Sequence, residues 1–346
     1  MKMIASNRTK ACSYINLAVL LPFLAPALAP AQVPSGPASQ LITQAVNSGQ
    51  LITFSGSTHP LARPEYDRGP APSSLPMQRM MLVLKRSPEQ QNALNQLLAQ
   101  QQDKTSPNYH HWLTPEQFGQ QFGLSDADLS AITAWLQSSG FQIDEVSKGR
   151  TFIEFSGTAA QVQSALHTPI HSFLVNGEQH WANASDPQIP AALAPAVAGL
   201  MSLHNFVSKP QVFKGQSIEA AVRPGSPTPQ FTSGGAYMLA PADYGTIFNI
   251  NPLYQAGING SGTTIAVVGR TDITLQDVVS FRGIFGLPSN APQIIVNGPD
   301  PGNVGGSEEV EAVLDTTWSG AIAPNAHVDL VVSESTNTTA AEQHLE

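Results

Sequence analysis

The sequence predicts two folds in succession, an α+β unit with antiparallel strands and then the incomplete start of an α/β unit with a parallel sheet. The first prediction rests on capped helical runs interleaved with apolar–polar alternation around the turn signals Lys148-Gly149 and Asn176-Gly177. The second rests on buried-type apolar runs that alternate with helical stretches after Leu239. Between the two, residues 207–238 lack periodicity and hold Pro210, Pro224, Pro227, Pro229 and Gly234-Gly235, the marks of a linker open to proteolysis.

Residues 32–76 are rich in Pro, Gly, Ser and Ala and read as a flexible leader. The α+β unit is expected over 77–206. Met80-Met81-Leu82-Val83-Leu84 is apolar enough for a strand. Ser87-Pro88-Glu89 then starts a helix, with Ser at the N-cap and Pro at the first helical position, and Leu94, Leu97 and Leu98 share its face. Thr114-Pro115-Glu116 is a second start. Ser125 caps a third helix, with Leu129, Ile132 and Leu136 on one side and Gly140 beyond its end. Phe141–Ile143 and Thr151–Phe155 form one expected hairpin; Thr158 opens a helix carrying Val162, Ala165 and Leu166; Ile170–Val175 and Gln179–Trp181 form a second hairpin.

From 239 to 346 the pattern is α/β. Strands are expected at Thr263–Val268, Gln293–Val296 and Val328–Val332, with helices at Leu275–Phe285 and Glu308–Gly320. Ile265-Ala266-Val267-Val268 shows no polar alternation, as in a strand covered on both faces. Gly260-Ser261-Gly262 precedes a strand, whereas nucleotide-binding glycines follow one, so it reads as a turn. The chain then turns polar at Ser335-Thr336-Asn337-Thr338-Thr339.

Composition narrows the function. Hydrophobic residues make up 41%, enough for packed cores, and the net charge of -9 comes from a sparse charged set of 12%. No cluster of Lys and Arg offers a face to nucleic acid or to a membrane surface. Lys2, Arg8 and Lys10 precede an apolar stretch from Ile15 to Leu28, and Ala29-Pro30-Ala31 suits signal peptidase, so residues 1–31 read as a signal peptide. Pro22, Pro26 and Pro30 argue against a membrane anchor. The protein is therefore expected to be secreted, extracellular or periplasmic, with no membrane association once the signal is removed. The single cysteine, Cys12, lies within that signal, which excludes disulfides and cysteine-peptidase chemistry in the mature chain.

Glu311 and Asp315 carry the chemistry. Four residues apart on a helix, they share one face with Cβ atoms about 5–6 Å apart. Partial burial makes such a pair share one proton and raises one pKa, and a carboxylate still serves as a general base in acid, where histidine is already charged. Taken alone, the pair reads more simply as part of a solvated acidic face with Glu308 and Glu309.

Pro107-Asn108-Tyr109-His110-His111-Trp112-Leu113-Thr114-Pro115-Glu116-Gln117-Phe118 and Gly149-Arg150-Thr151-Phe152-Ile153-Glu154-Phe155-Ser156-Gly157-Thr158 resemble the activation prodomain of kumamolisin and the other sedolisins. The resemblance runs through His171 and Trp181-Ala182-Asn183-Ala184, covering roughly 78–206. Leu239-Ala240-Pro241-Ala242-Asp243-Tyr244 through Asn251-Pro252-Leu253-Tyr254 resembles the start of the sedolisin catalytic domain. Glu311-Ala312-Val313-Leu314-Asp315 with Ala321-Ile322-Ala323-Pro324-Asn325-Ala326 resembles its Glu-x-x-x-Asp helix and the following turn.

The resemblance implies a subtilisin-like fold and a Ser-Glu-Asp triad. Glu311 would accept the serine proton, Asp315 would tune Glu311, and a protonated aspartic acid would help form the oxyanion hole. The implied reaction is endoproteolysis of a peptide or protein substrate. The implied partner is intramolecular, prodomain against catalytic domain, with cleavage within 207–238. Ser319, Ser333 and Ser335 do not lie in the family's Gly-Thr-Ser segment, so the chain by itself is expected to be truncated and inactive. No cofactor is expected in this chain, while the complete family domain is expected to bind calcium. The alternative is a secreted prodomain-like inhibitor or folding helper without catalysis.

His110 and His111 read as structural rather than metal-binding. His167, His171, His180 and His204 are expected either to be ordinary hydrogen-bonded histidines or to charge below about pH 6 and loosen the prodomain. Asn183, Asn259 and Asn337 fit glycosylation acceptors.

Overall fold

The structure, a computed structural model, describes residues 39–207, 231–233 and 236–334. The signal peptide with Cys12, linker residues 208–230 and the polar stretch from Ser335 lie outside the described residues.

The N-terminal part runs β1 (Leu51–Thr53), β2 (Asp67–Pro70), β3 (Pro76–Leu84), α1 (Pro88–Gln102), α2 (Pro115–Phe122), α3 (Asp126–Ser138), β4 (Gln142–Val146), β5 (Phe152–Thr158), α4 (Ala159–Ala165), β6 (Ile170–Val175), β7 (Glu178–Asn183), β8 (Gln188–Pro190) and β9 (Val197–Met201). A four-stranded antiparallel sheet has the order β4-β5-β3-β9, and a separate three-stranded sheet the order β2-β6-β7. The two expected hairpins therefore belong to different sheets. Asn176 and Gly177, both at positive φ, make the β6–β7 turn tight.

The helices start where the capping residues dictate. Ser87, Thr114 and Thr158 each close a capping box with a glutamine three residues on, Gln90, Gln117 and Gln161. Met80 and Leu82 alternate inward from β3 and meet Ile153 and Phe155 of β5, Ile132 and Leu136 of α3, and Val162 of α4. Leu94 and Leu97 are buried against Phe122, whereas Leu98, expected on the same face, is exposed. In α2, a Cβ on Gly119 would stand 2.1 Å from the Lys148 carbonyl oxygen, so only glycine lets this helix lie against the β4–β5 turn.

Residues 39–76, composed like a flexible leader, are instead built into this fold. Leu41 and Ile42 donate their backbone N–H groups to the carboxylate of Asp128, at 3.0 and 2.7 Å, and Ser125 Oγ donates to it at 2.6 Å. Ile42 joins the core, and β1 pairs antiparallel with β8. Asp186 accepts from the amides of Gly56 and Ser57 and from the Thr58 hydroxyl. These partners lie 86–130 residues away, so no local periodicity announces them.

Two short strands, β10 (Phe231–Ser233) and β11 (Ala236–Met238), pair antiparallel in the region expected to be aperiodic. Beyond them the chain forms α5 (Pro241–Ile247), α6 (Asn251–Gln255), β12 (Thr264–Gly269), α7 (Leu275–Ile284), β13 (Gln293–Val296), α8 (Gly306–Ile322) and β14 (His327–Val332). The three strands are parallel in the order β12-β14-β13. The buried strand is β14, whose Leu330 and Val332 meet Ile273, Val278 and Ala312. β12 is an edge strand with Ala266 exposed, contrary to its all-apolar sequence, because a single partner and helices α7 and α8 on one side leave its other face open.

Replacing Asp128 with Ala strips three donors of their acceptor and is expected to lower the unfolding free energy by about 3 kcal/mol. Denaturant unfolding measures that loss, and hydrogen exchange at Leu41 and Ile42 is expected to accelerate most.

Candidate active site

Helix α8 carries both predicted carboxylates. It buries a stripe of small residues, Ala312, Thr316 and Gly320, four apart, which lets it lie close to the sheet. Thr316 bonds its hydroxyl back to the Ala312 carbonyl at 2.6 Å and so leaves no polar group unpaired. Glu311 and Asp315 stand one residue behind Ala312 and Thr316, at the border of core and solvent: Glu311 is half-buried and Asp315 exposed.

The four acidic side chains of α8 divide into two pairs. Glu308 forms an ion pair with Arg270. Glu309 accepts from Asn303 Nδ2 at 2.5 Å and from Thr274 Oγ1 at 3.3 Å. These two tie the helix start to the segments after β12 and before α8, and they favour the helix dipole. Glu311 and Asp315 have no hydrogen-bond or ion-pair partner among the described residues. The solvated acidic face is thus only half a description: two of its members are structural, and two are free. Although Asp315 reaches solvent, the protein around its carboxyl removes enough water to raise its pKa above the ordinary aspartate value.

The far end of α8 is fixed by side chains. Arg282 of α7, only 3% exposed, donates to the carbonyls of Pro288 at 2.7 Å, Gly320 at 3.0 Å and Pro324 at 2.8 Å. Tyr254 of α6 donates its hydroxyl to the Ile322 carbonyl at 2.6 Å. Together they satisfy carbonyls that a helix C-terminus leaves open, and the guanidinium complements the negative end of the dipole. Trp318 packs on Tyr244 and Phe281, with ring centroids 4.5 and 5.9 Å away, which sets the rotation of the helix. Sequence reasoning missed Arg282 and Tyr254, since nothing local marks a side chain that will bond a carbonyl 38 or 68 residues on.

Ser319 follows Asp315 by four residues on the same side of α8, but its hydroxyl turns back to the Thr316 carbonyl at 3.4 Å. Ser333 is buried and bonds the Glu334 carbonyl. Neither hydroxyl bonds Glu311 or Asp315, and Ser335 lies outside the described residues. Asn183 is fully buried and donates to the Ser57 and Ser185 carbonyls, which closes it to glycosylation in the folded chain. His110 stacks between Tyr109 and Trp112. Among the described residues no group of three or more His, Cys, Asp or Glu is placed to hold a metal ion, and no helix is long and apolar enough to cross a membrane.

Two measurements check this geometry. In a carboxyl NMR titration, Asp315 is expected to titrate above the ordinary aspartate value because the protein around it removes water. Arg282→Met strips three carbonyls of their donor and is expected to cost about 3 kcal/mol in thermal or denaturant unfolding.

Residues 65–206 match the family model described as Pro-kumamolisin, activation domain. The chain is 26% identical over 259 residues to xanthomonalisin of Xanthomonas sp. (strain T-22), covering 73% of this chain and 30% of that protein. It is likewise 26% identical over 224 residues to sedolisin of Pseudomonas sp. (strain 101), covering 64% of this chain and 36% of that protein. The matched stretches thus span about a third of each relative, 30% and 36%. Over residues 65–206 the chain is thus similar to the Pro-kumamolisin activation domain, and over a longer stretch it is similar to xanthomonalisin and sedolisin.

Proposed function

We propose that the chain is the N-terminal part of a secreted, acid-active serine-type endopeptidase precursor. Its prodomain would extend from the segment pinned by Asp128 to Phe206, and residues from Leu239 onward would begin a subtilisin-like catalytic domain. One observation carries this reading: Glu311 and Asp315 remain free on one face of α8 while Glu308 and Glu309 are spent on structure. Two unpartnered carboxylates four apart destabilise a helix by a few tenths of a kcal/mol, roughly 0.2–0.5, a cost with no structural return.

In this reading a serine from outside the described residues attacks the peptide carbonyl carbon, and Glu311 takes the proton from its hydroxyl. Asp315, whose pKa partial burial raises, donates a hydrogen bond to Glu311 when protonated and keeps it oriented. Glu311 passes the proton to the leaving amine, and water then hydrolyses the acyl-enzyme by the same route. The substrate is a peptide or protein. Calcium belongs to the complete domain in this reading, and no step is assigned to it.

A second reading has its own support. Among the described residues, the largest core of the N-terminal part is built from side chains between Leu41 and Leu203, as a free-standing inhibitor or folding helper would require.

The test is peptide hydrolysis at pH 3–5 by the longest protein encoded with these residues. Glu311→Gln is expected to lower kcat by at most 10⁴-fold and at least about 10²-fold, and Asp315→Asn to change the acid limb of the pH–rate profile. Activity within twofold of the parent in Glu311→Gln removes the assigned role. Inhibition of a sedolisin-type peptidase without any hydrolysis favours the second reading.

A further inference from the structure

Phe206, near the end of the first described stretch, is surrounded by three histidines. His59 lies parallel to its ring with centroids 4.2 Å apart, and His180 stacks at 4.3 Å. His204 lies 4.5 Å from His59 and 5.9 Å from Phe206. The rings come from three segments: the turn after the Asp186-bound residues, β7, and the stretch after β9, where His204 bridges Ala182. Phe173, Val175 and Ala182 form the apolar floor, with Ala62 and Tyr66 packed beside them.

The site is built for uncharged imidazoles. His59 Nδ1 accepts the Leu61 N–H at 3.2 Å, so that nitrogen carries no proton. His180 Nδ1 and His204 Nδ1 are buried with no hydrogen-bond partner. A proton added at either would bury a charged N–H without an acceptor. Two rings lie against Phe206, and the three do not converge on an ion.

The charged groups nearby offer little compensation. Glu178 of β7 stands 3.7 Å from His180 Nε2 but is mostly exposed. Asp67 of β2 is engaged by His171 of β6 at 2.8 Å, away from the three rings. Asp186 is engaged by the 56–58 turn. On the turn Pro64–Tyr66, Glu65 faces solvent with Arg63, while Arg68 bonds backbone carbonyls.

We propose that His59, His180 and His204 around Phe206 form a proton-sensitive latch, which holds residues 203–206 against β7 at neutral pH and releases them in acid. The latch stands on this geometry; its use in exposing the chain after Phe206 to cleavage rests on the peptidase-precursor reading.

Burial lowers His204 to about 4, with His59 adding to the effect, and burial followed by His180 lowers His59. In an opened edge His204 binds a proton near the ordinary value of 6.5, while in the closed edge it refuses one until about 4. The closed edge therefore keeps its full stability above about pH 6.5 and loses it as pH falls toward 4, by up to about tenfold in the opening equilibrium per pH unit for each proton.

Hydrogen exchange of the full chain between pH 7 and 4, corrected for intrinsic rates, tests this. The reporters are the amides of Asn183, bonded to the Leu203 carbonyl at 3.0 Å, and Asn205, bonded to the Trp181 carbonyl at 3.0 Å. Their protection is expected to fall at least tenfold from pH 6.5 to 4, while amides shared by β3 and β5 hold theirs. Replacing all three histidines with Phe keeps rings around Phe206 and is expected to abolish the difference. Equal reporter protection at pH 7 and 4, or a pH dependence that survives in the triple variant, overturns the latch. If that variant does not fold, imidazole NMR titration of the unaltered protein decides: His204 titrating well below 6.5 supports the latch, and at or above 6.5 removes it. No proteolysis enters these readouts, so they fail independently of the Glu311 role.

Discussion

Buried backbone groups in both parts of this chain are satisfied by charged side chains from distant sequence, and this constraint organises the rest. Asp128 receives the amides of Leu41 and Ile42 while also serving the start of its own helix through Ser125. Without it the 39–42 segment would have no acceptor near α3, and Ile42 would have no reason to enter the core. Arg282 performs the mirror task, supplying donors to carbonyls around the end of α8. A buried unpaired amide or carbonyl costs about as much as a lost hydrogen bond, so each of these side chains decides where an entire element can lie.

Elements whose cause is local were legible in the sequence. The capping boxes at Ser87, Thr114 and Thr158 place helix starts to the residue, and the Asn176-Gly177 turn fixes the β6–β7 hairpin. Strands whose cause is non-local were not. β1 exists because β8 is there to pair with it, and neither has an alternating pattern of its own. The apolar run of β12 suggested burial on both faces, but apolarity does not reveal position within a sheet; β14 took the centre instead. The same limit governs the candidate site. Helical spacing put Glu311 and Asp315 on one face, but only the contacts of Glu308 and Glu309 separate the structural acids from the free ones.

Acid acts in opposite senses on the two kinds of titratable group. At α8 partial desolvation favours a neutral Asp315, so the helix is compatible with added protons. At Phe206 burial favours neutral imidazoles, so added protons are resisted until the contact gives way. Desolvation is the common cause: it always penalises the charged form, which is the deprotonated acid in one case and the protonated base in the other. A single fall in pH thus relieves the carboxylate helix and loads the histidine cluster.

These responses require different supports. A group that holds or moves a proton during chemistry must keep its position, and α8 is held at both ends: by Arg270 and Asn303 near its start, and by Arg282 and Tyr254 near its finish. A latch must instead sit where little else resists its opening. The stretch around His204 and Phe206 has that character, since it is attached to β7 by an isolated bridge and a few amide bonds rather than by a full strand pairing. Rigid anchoring where the free carboxylates stand, and sparse attachment where the histidines gather, is the distribution of stability that a precursor opened by acid would need.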